Sequence, residues 1–155
     1  MFKYVSPYDI SGAHSIGQSH CSSLVSRLYN FNKTHPTDPS LDGVYAKILK
    51  ARCPIGSAHN SKKTVAMESK TPDTLDNLYY DSIIKNEGMF ISDATLLTNR
   101  NTRNLVFANS SSSKLSRWQQ QFSVAMVKMG TIGVLTGNQG EIRQNCRVIN
   151  NHRRD

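Results

Sequence analysis

The chain is short of acidic residues, with 11 Asp and Glu against 19 Lys and Arg, and it has no apolar run near the length of a membrane helix. A span needs about 20 apolar residues, so a transmembrane helix is excluded. The first ten residues, MFKYVSPYDI, have no apolar core of the kind a secretory leader requires. Basic residues outnumber acidic ones by enough to give a formal charge of +8, yet they form no stripe; the only dense pairs are Lys62 with Lys63 and Arg153 with Arg154. Base-stacking aromatics are not interleaved with the arginines, which disfavours nucleic acid and leaves solvated loop charges attracted to acidic polymers. No nucleophile elbow or triad signature occurs. His20, Cys21, Cys53 and His59 are proper zinc ligand types, but no closely spaced ligand pair stands at each end. Gly133, Gly137 and Gly140 do not sit between a strand and a helix, as a phosphate-cradling loop would require.

What is present suits one domain of 155 residues, 37% hydrophobic and 19% charged, with no internal repeat and no second domain. The reading is mainly helical, with loops rich in Pro, Ser and Asn and a few short strands or turns. A short helix is expected over Ser19–Leu28, with Leu24, Val25 and Leu28 inward. The NFNKTHPTDP stretch is a loop, after which Asp42 caps a helix carrying Val44, Tyr45, Ile48 and Leu49 and ending at Cys53 and Pro54. From Ile55 to Lys70 the chain is polar and aperiodic and is expected to run over the surface. Asp73 or Thr74 starts a helix with Leu75, Leu78, Tyr79, Ile83 and Ile84 at helical spacing, stopped by Gly88. Ser92 reads as the cap of a short helix through Leu96 and Leu97, and another helix follows from Thr102 until the Ser110–Ser113 run. The strongest pattern is Leu115 to Met129, where Trp118, Phe122, Ala125, Met126 and Met129 form one stripe, expected to be core, with Gly130 as a C-terminal cap. The tail from Thr131 to Asn150 reads as tight turns and short extended pieces.

Four segments in fixed order carry a further signal: SGAHSIG at Ser11–Gly17, TPDTLDNLYY at Thr71–Tyr80, ISD at Ile91–Asp93, and MGTIGVLTGNQGEIRQNCRVIN from Met129. Together they resemble the C-terminal, proximal half of a plant secretory haem peroxidase, across almost the whole chain. The resemblance implies a single partial domain over residues 1–155, the proximal helical domain of the haem peroxidase fold. It implies haem b as cofactor, with His14 as the axial iron ligand and Asp93 hydrogen-bonded to it. Such a carboxylate fixes the imidazole tautomer and raises the electron density pushed toward the metal. A partner 79 positions away is invisible to spacing alone.

The resemblance also implies a calcium site from Ser15, Glu68, Thr71, Thr74 and Asp76. Calcium takes six to eight oxygen ligands, which suits that set, although the family commonly has aspartate where Glu68 stands. Without the resemblance, these Thr and Asp residues read as helix caps and turns. Three cysteines leave one over if two pair, and two buried thiols remain the alternative. In the family, the positions of Cys21 and Cys53 are bridged to each other, while that of Cys146 pairs with an upstream cysteine. Sequons at Asn32 and Asn109 matter only in a secreted protein.

Peroxide activation needs a base, an acid and a charge stabiliser, which the family supplies from a distal histidine and arginine in a motif resembling RLxFHDC. No such motif occurs; His20, His35, His59 and His152 lack that context. The expectation is therefore a peroxidase that reduces hydrogen peroxide and oxidises small phenolic donors, with this chain inactive alone, and alternatively a non-catalytic haem- or calcium-binding remnant. Family members are monomeric, secreted, and found in cell wall or vacuole, with no nucleic acid or membrane partner. A half-pocket would expose apolar haem-facing surface, so the isolated chain is expected to be poorly stable or self-associating.

Overall fold

A computed structural model describes residues 10–56, 62–110 and 115–150. The expectations for His59, His152, Arg153, Arg154, Ser111–Ser113 and most of the N-terminal segment lie outside these residues. The chain is mainly helical with one two-stranded sheet, as the sequence leads one to expect. Its helices are α1 (Val25–Leu28), α2 (Gly43–Arg52), α3 (Leu78–Ile84), α4 (Ile91–Thr95), α5 (Arg100–Asn109) and α6 (Leu115–Gly130). The 3₁₀ turns at Gly12–Ser15 and Cys21–Leu24 flank strand β1 (Gln18–His20), which pairs antiparallel with β2 (Thr64–Ala66) in the register Gln18 to Ala66, Ser19 to Val65 and His20 to Thr64. Among the described residues no helix is long and apolar enough to cross a membrane.

Local chemistry accounts for most boundaries. Asp42 Oδ1 accepts from the Val44 and Tyr45 amides at 3.0 and 2.8 Å, capping α2 as the sequence predicts. Asn99 caps α5 by accepting from the Asn101 amide, so that helix starts two residues before the expected Thr102. Helix α3 begins only at Leu78, because Thr71–Asn77 is occupied by side-chain to backbone hydrogen bonds that compete with helix. It ends at Ile84, and Asn86, not Gly88, adopts the left-handed conformation at φ 59°. Asn visits that region with little strain.

The expected Ser19–Leu28 helix is instead strand, 3₁₀ turn and α1, and the polar 55–70 stretch supplies β2 with buried Val65 and Glu68. Val25 is only half-buried, and Arg27 takes the inward place beside Leu24 and Leu28. Val44, Ile48 and Leu75 are exposed, whereas Tyr45 and Leu49 are buried. Trp118 and Ala125 of α6 are core, but Met126 and Met129 lie on the exposed side, and Gly130 is the last helical residue rather than a cap beyond it. The left-handed turns fall at Gly133 and Gly137 in the tail.

Two apolar clusters result. One gathers Leu24, Leu28, Tyr45, Leu49, Val65 and Met89 around the Cys21–Cys53 disulfide. The bridge closes a loop of 32 residues, which the chain-entropy model values at about 3.7 kcal/mol. The other gathers Tyr79, Tyr80, Ile83, Leu96, Val106 and Trp118 from α3, α5 and α6. Met89 belongs to the first and Leu96 to the second, and Asp93 lies between them in sequence.

Candidate haem-ligand site

His14 sits in the 3₁₀ turn Gly12–Ser15, and glycine is what lets that turn reach the core. A methyl group on Gly12 would lie 3.0 Å from Trp118 Nε1 and 3.1 Å from the Tyr80 hydroxyl, so the turn packs against the Tyr80–Trp118 pair. Trp118 Nε1 donates to the Tyr80 hydroxyl at 3.1 Å beneath it. At the other end, Gly17 takes φ 97°, a left-handed value that suits glycine, and its carbonyl accepts from the Met67 amide at 3.0 Å. The two glycines of SGAHSIG thus fix both ends of the turn that presents His14.

Asp93 comes to it from α4. His14 Nδ1 lies 2.9 Å from Asp93 Oδ1, across the 79 positions that separate them in sequence. Asp93 is 1% exposed, and its other oxygen accepts from the Phe90 amide at 2.9 Å. That bond caps α4 from its third residue; Ser92, the expected cap, instead accepts through its carbonyl from the Thr95 hydroxyl. A carboxylate can only accept, so Nδ1 carries the proton and Nε2 is the nitrogen left with a lone pair. The His14 side chain is 29% exposed, flanked by the Phe90 ring at 5.0 Å and the Tyr79 ring edge-on at 6.0 Å. A partly exposed imidazole held in one tautomer, with Nε2 in no described hydrogen bond, can ligate a metal. His20 and His35 are exposed and lack such a partner in any hydrogen bond described.

Gly88 secures the carboxylate from behind. A Cβ there would come within 2.7 Å of both Asp93 Cβ and Ile83 Cδ1, so its role is close approach to Asp93 rather than stopping α3. Its carbonyl accepts from Arg27 at 2.6 Å. Arg27 is 2% exposed and also pairs through Nε with Asp38 Oδ2 at 2.8 Å. Burial pushes the Asp38 carboxyl up, but the Ser40 hydroxyl and amide and the Arg27 guanidinium more than offset it and hold it below the usual carboxylate range.

The five oxygen-bearing residues expected at a calcium site are brought together in part. Glu68, 1% exposed, accepts from the Lys70 and Thr71 amides and from the Thr71 hydroxyl at 3.1 Å, and the same hydroxyl lies 2.8 Å from Asp76 Oδ2. A hydroxyl has one proton, so it serves only one of these two carboxylates; the other approach has no proton between the oxygens. A hard cation would resolve that crowding. Thr74 joins through its amide, which donates to the Thr71 carbonyl at 3.0 Å. Ser15 is fully buried, and its Oγ has no hydrogen-bond partner. The Met67–Gly17 hydrogen bond ties the segment after Ser15 to the one before Glu68, but no hydrogen bond joins the Ser15 hydroxyl to the cluster. With two carboxylates only, no group of three acidic, His or Cys side chains is placed to hold a metal among the described residues.

Cys21 and Cys53 are bridged, which removes the zinc alternative at those positions, and Cys146 is exposed and free. Asn32 is exposed, its Oδ1 accepting from the Thr34 and His35 amides. Asn109 is 2% exposed and donates to Gln121 Oε1, which shuts its amide away from glycosylation in the folded chain. Reading Tyr79 as one of an apolar stripe missed its hydroxyl, which donates to Asp93 Oδ1 at 2.8 Å. The available signal was general: a buried tyrosine hydroxyl needs a partner.

A histidine on a glycine-framed turn, held by a buried aspartate from a distant helix, defines a class. Residues 9–112 match the peroxidase family model, and the chain belongs to the peroxidase family of oxidoreductases. It is 50% identical to Peroxidase 5 of Vitis vinifera over 141 residues, covering 91% of this chain and 42% of that protein. Peroxidase 45 of Arabidopsis thaliana is 41% identical over 143 residues, with 91% and 42% covered, and Peroxidase 1 of Zea mays 40% over 144, with 91% and 39% covered. The chain thus spans about two-fifths of the length of these curated relatives.

Proposed function

We propose that this chain is the proximal side of a plant haem peroxidase, a single partial domain over residues 1–155 in which His14 Nε2 binds the iron of haem b. The observation that carries this reading is the 2.9 Å hydrogen bond from His14 Nδ1 to buried Asp93. Haem supplies the redox chemistry of hydrogen peroxide reduction coupled to oxidation of small phenolic donors. Asp93 holds the Nδ1 proton, keeps the imidazole in one tautomer and makes Nε2 a more basic ligand. Phe90 and Tyr79 fix the ring's tilt on either side. Glu68, Thr71 and Asp76, with Thr74 and the orphaned Ser15 hydroxyl, would hold calcium next to the iron ligand, so that ion binding stiffens the turn bearing His14.

None of the described residues near His14 is a base placed to take a proton from peroxide, and no sequence segment has the distal motif. Turnover therefore depends on residues other than these. Family members are secreted, to cell wall or vacuole, and act as monomers, and the same setting is proposed here. The test mixes the purified chain with hemin and compares it with free hemin and with His14→Ala. The expected result is a hemin absorption spectrum that depends on His14, with phenol oxidation no faster than free hemin. Identical spectra for the chain and His14→Ala would overturn the ligand assignment, and turnover well above free hemin would overturn the claim of dependence.

A further inference from the structure

Asp93 Oδ1 receives two donors, not one. His14 Nδ1 approaches it at 2.9 Å and the Tyr79 hydroxyl at 2.8 Å, while Oδ2 is occupied by the Phe90 amide. Tyr79 is 2% exposed on α3, with its ring edge-on to both His14 and Tyr80. Burial, then the adjacent Asp93 charge, hold the phenol far above its ordinary range, so it remains a neutral donor at any working pH. Its own oxygen accepts from the Ser11 hydroxyl. The result is a relay in which Ser11 donates to Tyr79, and Tyr79 and His14 both donate to one carboxylate oxygen.

Each donor draws electron density from the oxygen it reaches, so two donors on Oδ1 compete. The more strongly Tyr79 donates, the less Asp93 pulls on the His14 proton and the less imidazolate-like the ring becomes. We propose that Tyr79 is a positioning residue that limits the pull of Asp93 on His14 and thereby sets the electron density at His14 Nε2. Its bearing on bound iron rests on the ligand assignment above; the effect on the imidazole does not. Ser11 adds a smaller contribution of the same sign, because a donor onto the phenol oxygen strengthens the phenol's own donation.

Tyr79→Phe keeps the ring and removes only the hydroxyl, and Ser11→Ala leaves Tyr79 in place. The decisive measurement is the His14 Nδ1–H proton resonance in the full chain labelled with nitrogen-15 at histidine, without haem, with thermal unfolding followed in parallel. A stronger bond to Asp93 moves that resonance downfield, so the expected order is wild type, then Ser11→Ala, then Tyr79→Phe furthest downfield. An unmoved or upfield resonance in the folded variants overturns the proposal. Should Tyr79→Phe not fold, the Ser11→Ala shift decides alone.

With hemin added, Tyr79→Phe is expected to bind ferric haem a few-fold more tightly and to shift the ferric/ferrous midpoint to more negative potential. Asp93→Asn is expected to lose affinity by about 10–100-fold. Weakening in both variants would make Tyr79 mere support for Asp93 and overturn the proposal. Failure of the wild-type chain to bind hemin through His14 would sink the proposed function, with the haem-free resonance still deciding the role of Tyr79.

Discussion

At the scale of single residues, two glycines govern the site more than their size suggests. Gly88 has its backbone against Asp93 and Ile83 at distances a methyl group cannot share. Gly88→Ala is therefore expected to destabilise the chain by roughly 1–3 kcal/mol, as overpacking does, and to shift Asp93 off His14. Thermal unfolding and the His14 Nδ1–H resonance would check it, and a variant of unchanged stability with an unmoved resonance would contradict it. Sequence reading assigned Gly88 to stopping α3 because a stop and a close approach leave the same letter. Likewise, His14 and Asp93 were paired only through family resemblance, since residues 79 apart meet by tertiary folding that no spacing encodes. Tyr79 shows a third way for the sequence to mislead, its ring obeying the helical stripe while its hydroxyl serves the site.

Among the elements, those with local causes were legible. The Asp42 cap of α2 and the long α6 follow from side chains within a few positions of one another. The β1–β2 pair was not, because three-residue strands carry too little alternation and their pairing spans residues 18 to 66. Nor was α1, whose inward residue is a charged one. Arg27 ties α1 to Asp38, Ser40 and the Gly88 carbonyl, so a buried ion pair braces the segment that leads into Asp93. The folded state holds the Asp38 carboxyl below its ordinary value, near 3.9 in a free chain. A lowered pKa gives stability that is present above the unfolded value and lost as pH falls through the folded one. Thermal midpoints are thus expected to be insensitive to this group above about pH 5 and to fall below about pH 4. Asp38→Asn, less stable at neutral pH because it leaves Arg27 unpaired, should show a shallower acid decline. An identical decline in both proteins would remove Asp38 as its cause.

For the whole molecule, the balance of burial is uneven. The two clusters are closed over, yet α6 and the tail expose Val127, Ile132, Val134, Leu135, Ile142 and Ile149, each by more than half. Exposed apolar side chains in that number promote association, which the charge of +8 opposes. The isolated chain is expected to be monomeric at low salt and to self-associate as salt screens that charge, read by light scattering across concentration. A monomer at high salt and high concentration would count against it. The fold class was legible because helical periodicity dominates the sequence, whereas the exposed side of α6 was not, since Met126 and Met129 continue the same stripe as Trp118.

The docking of Gly12 onto Trp118 also makes the chain its own optical instrument. Trp118 is the only tryptophan, and its indole lies against the turn that carries His14 two residues further on. Emission from that indole is blue when the turn is seated and reddens when water reaches it, and a haem held nearby would quench it by energy transfer. Seating of the histidine turn and arrival of the cofactor can thus be followed separately, in unlabelled protein, from one fluorophore.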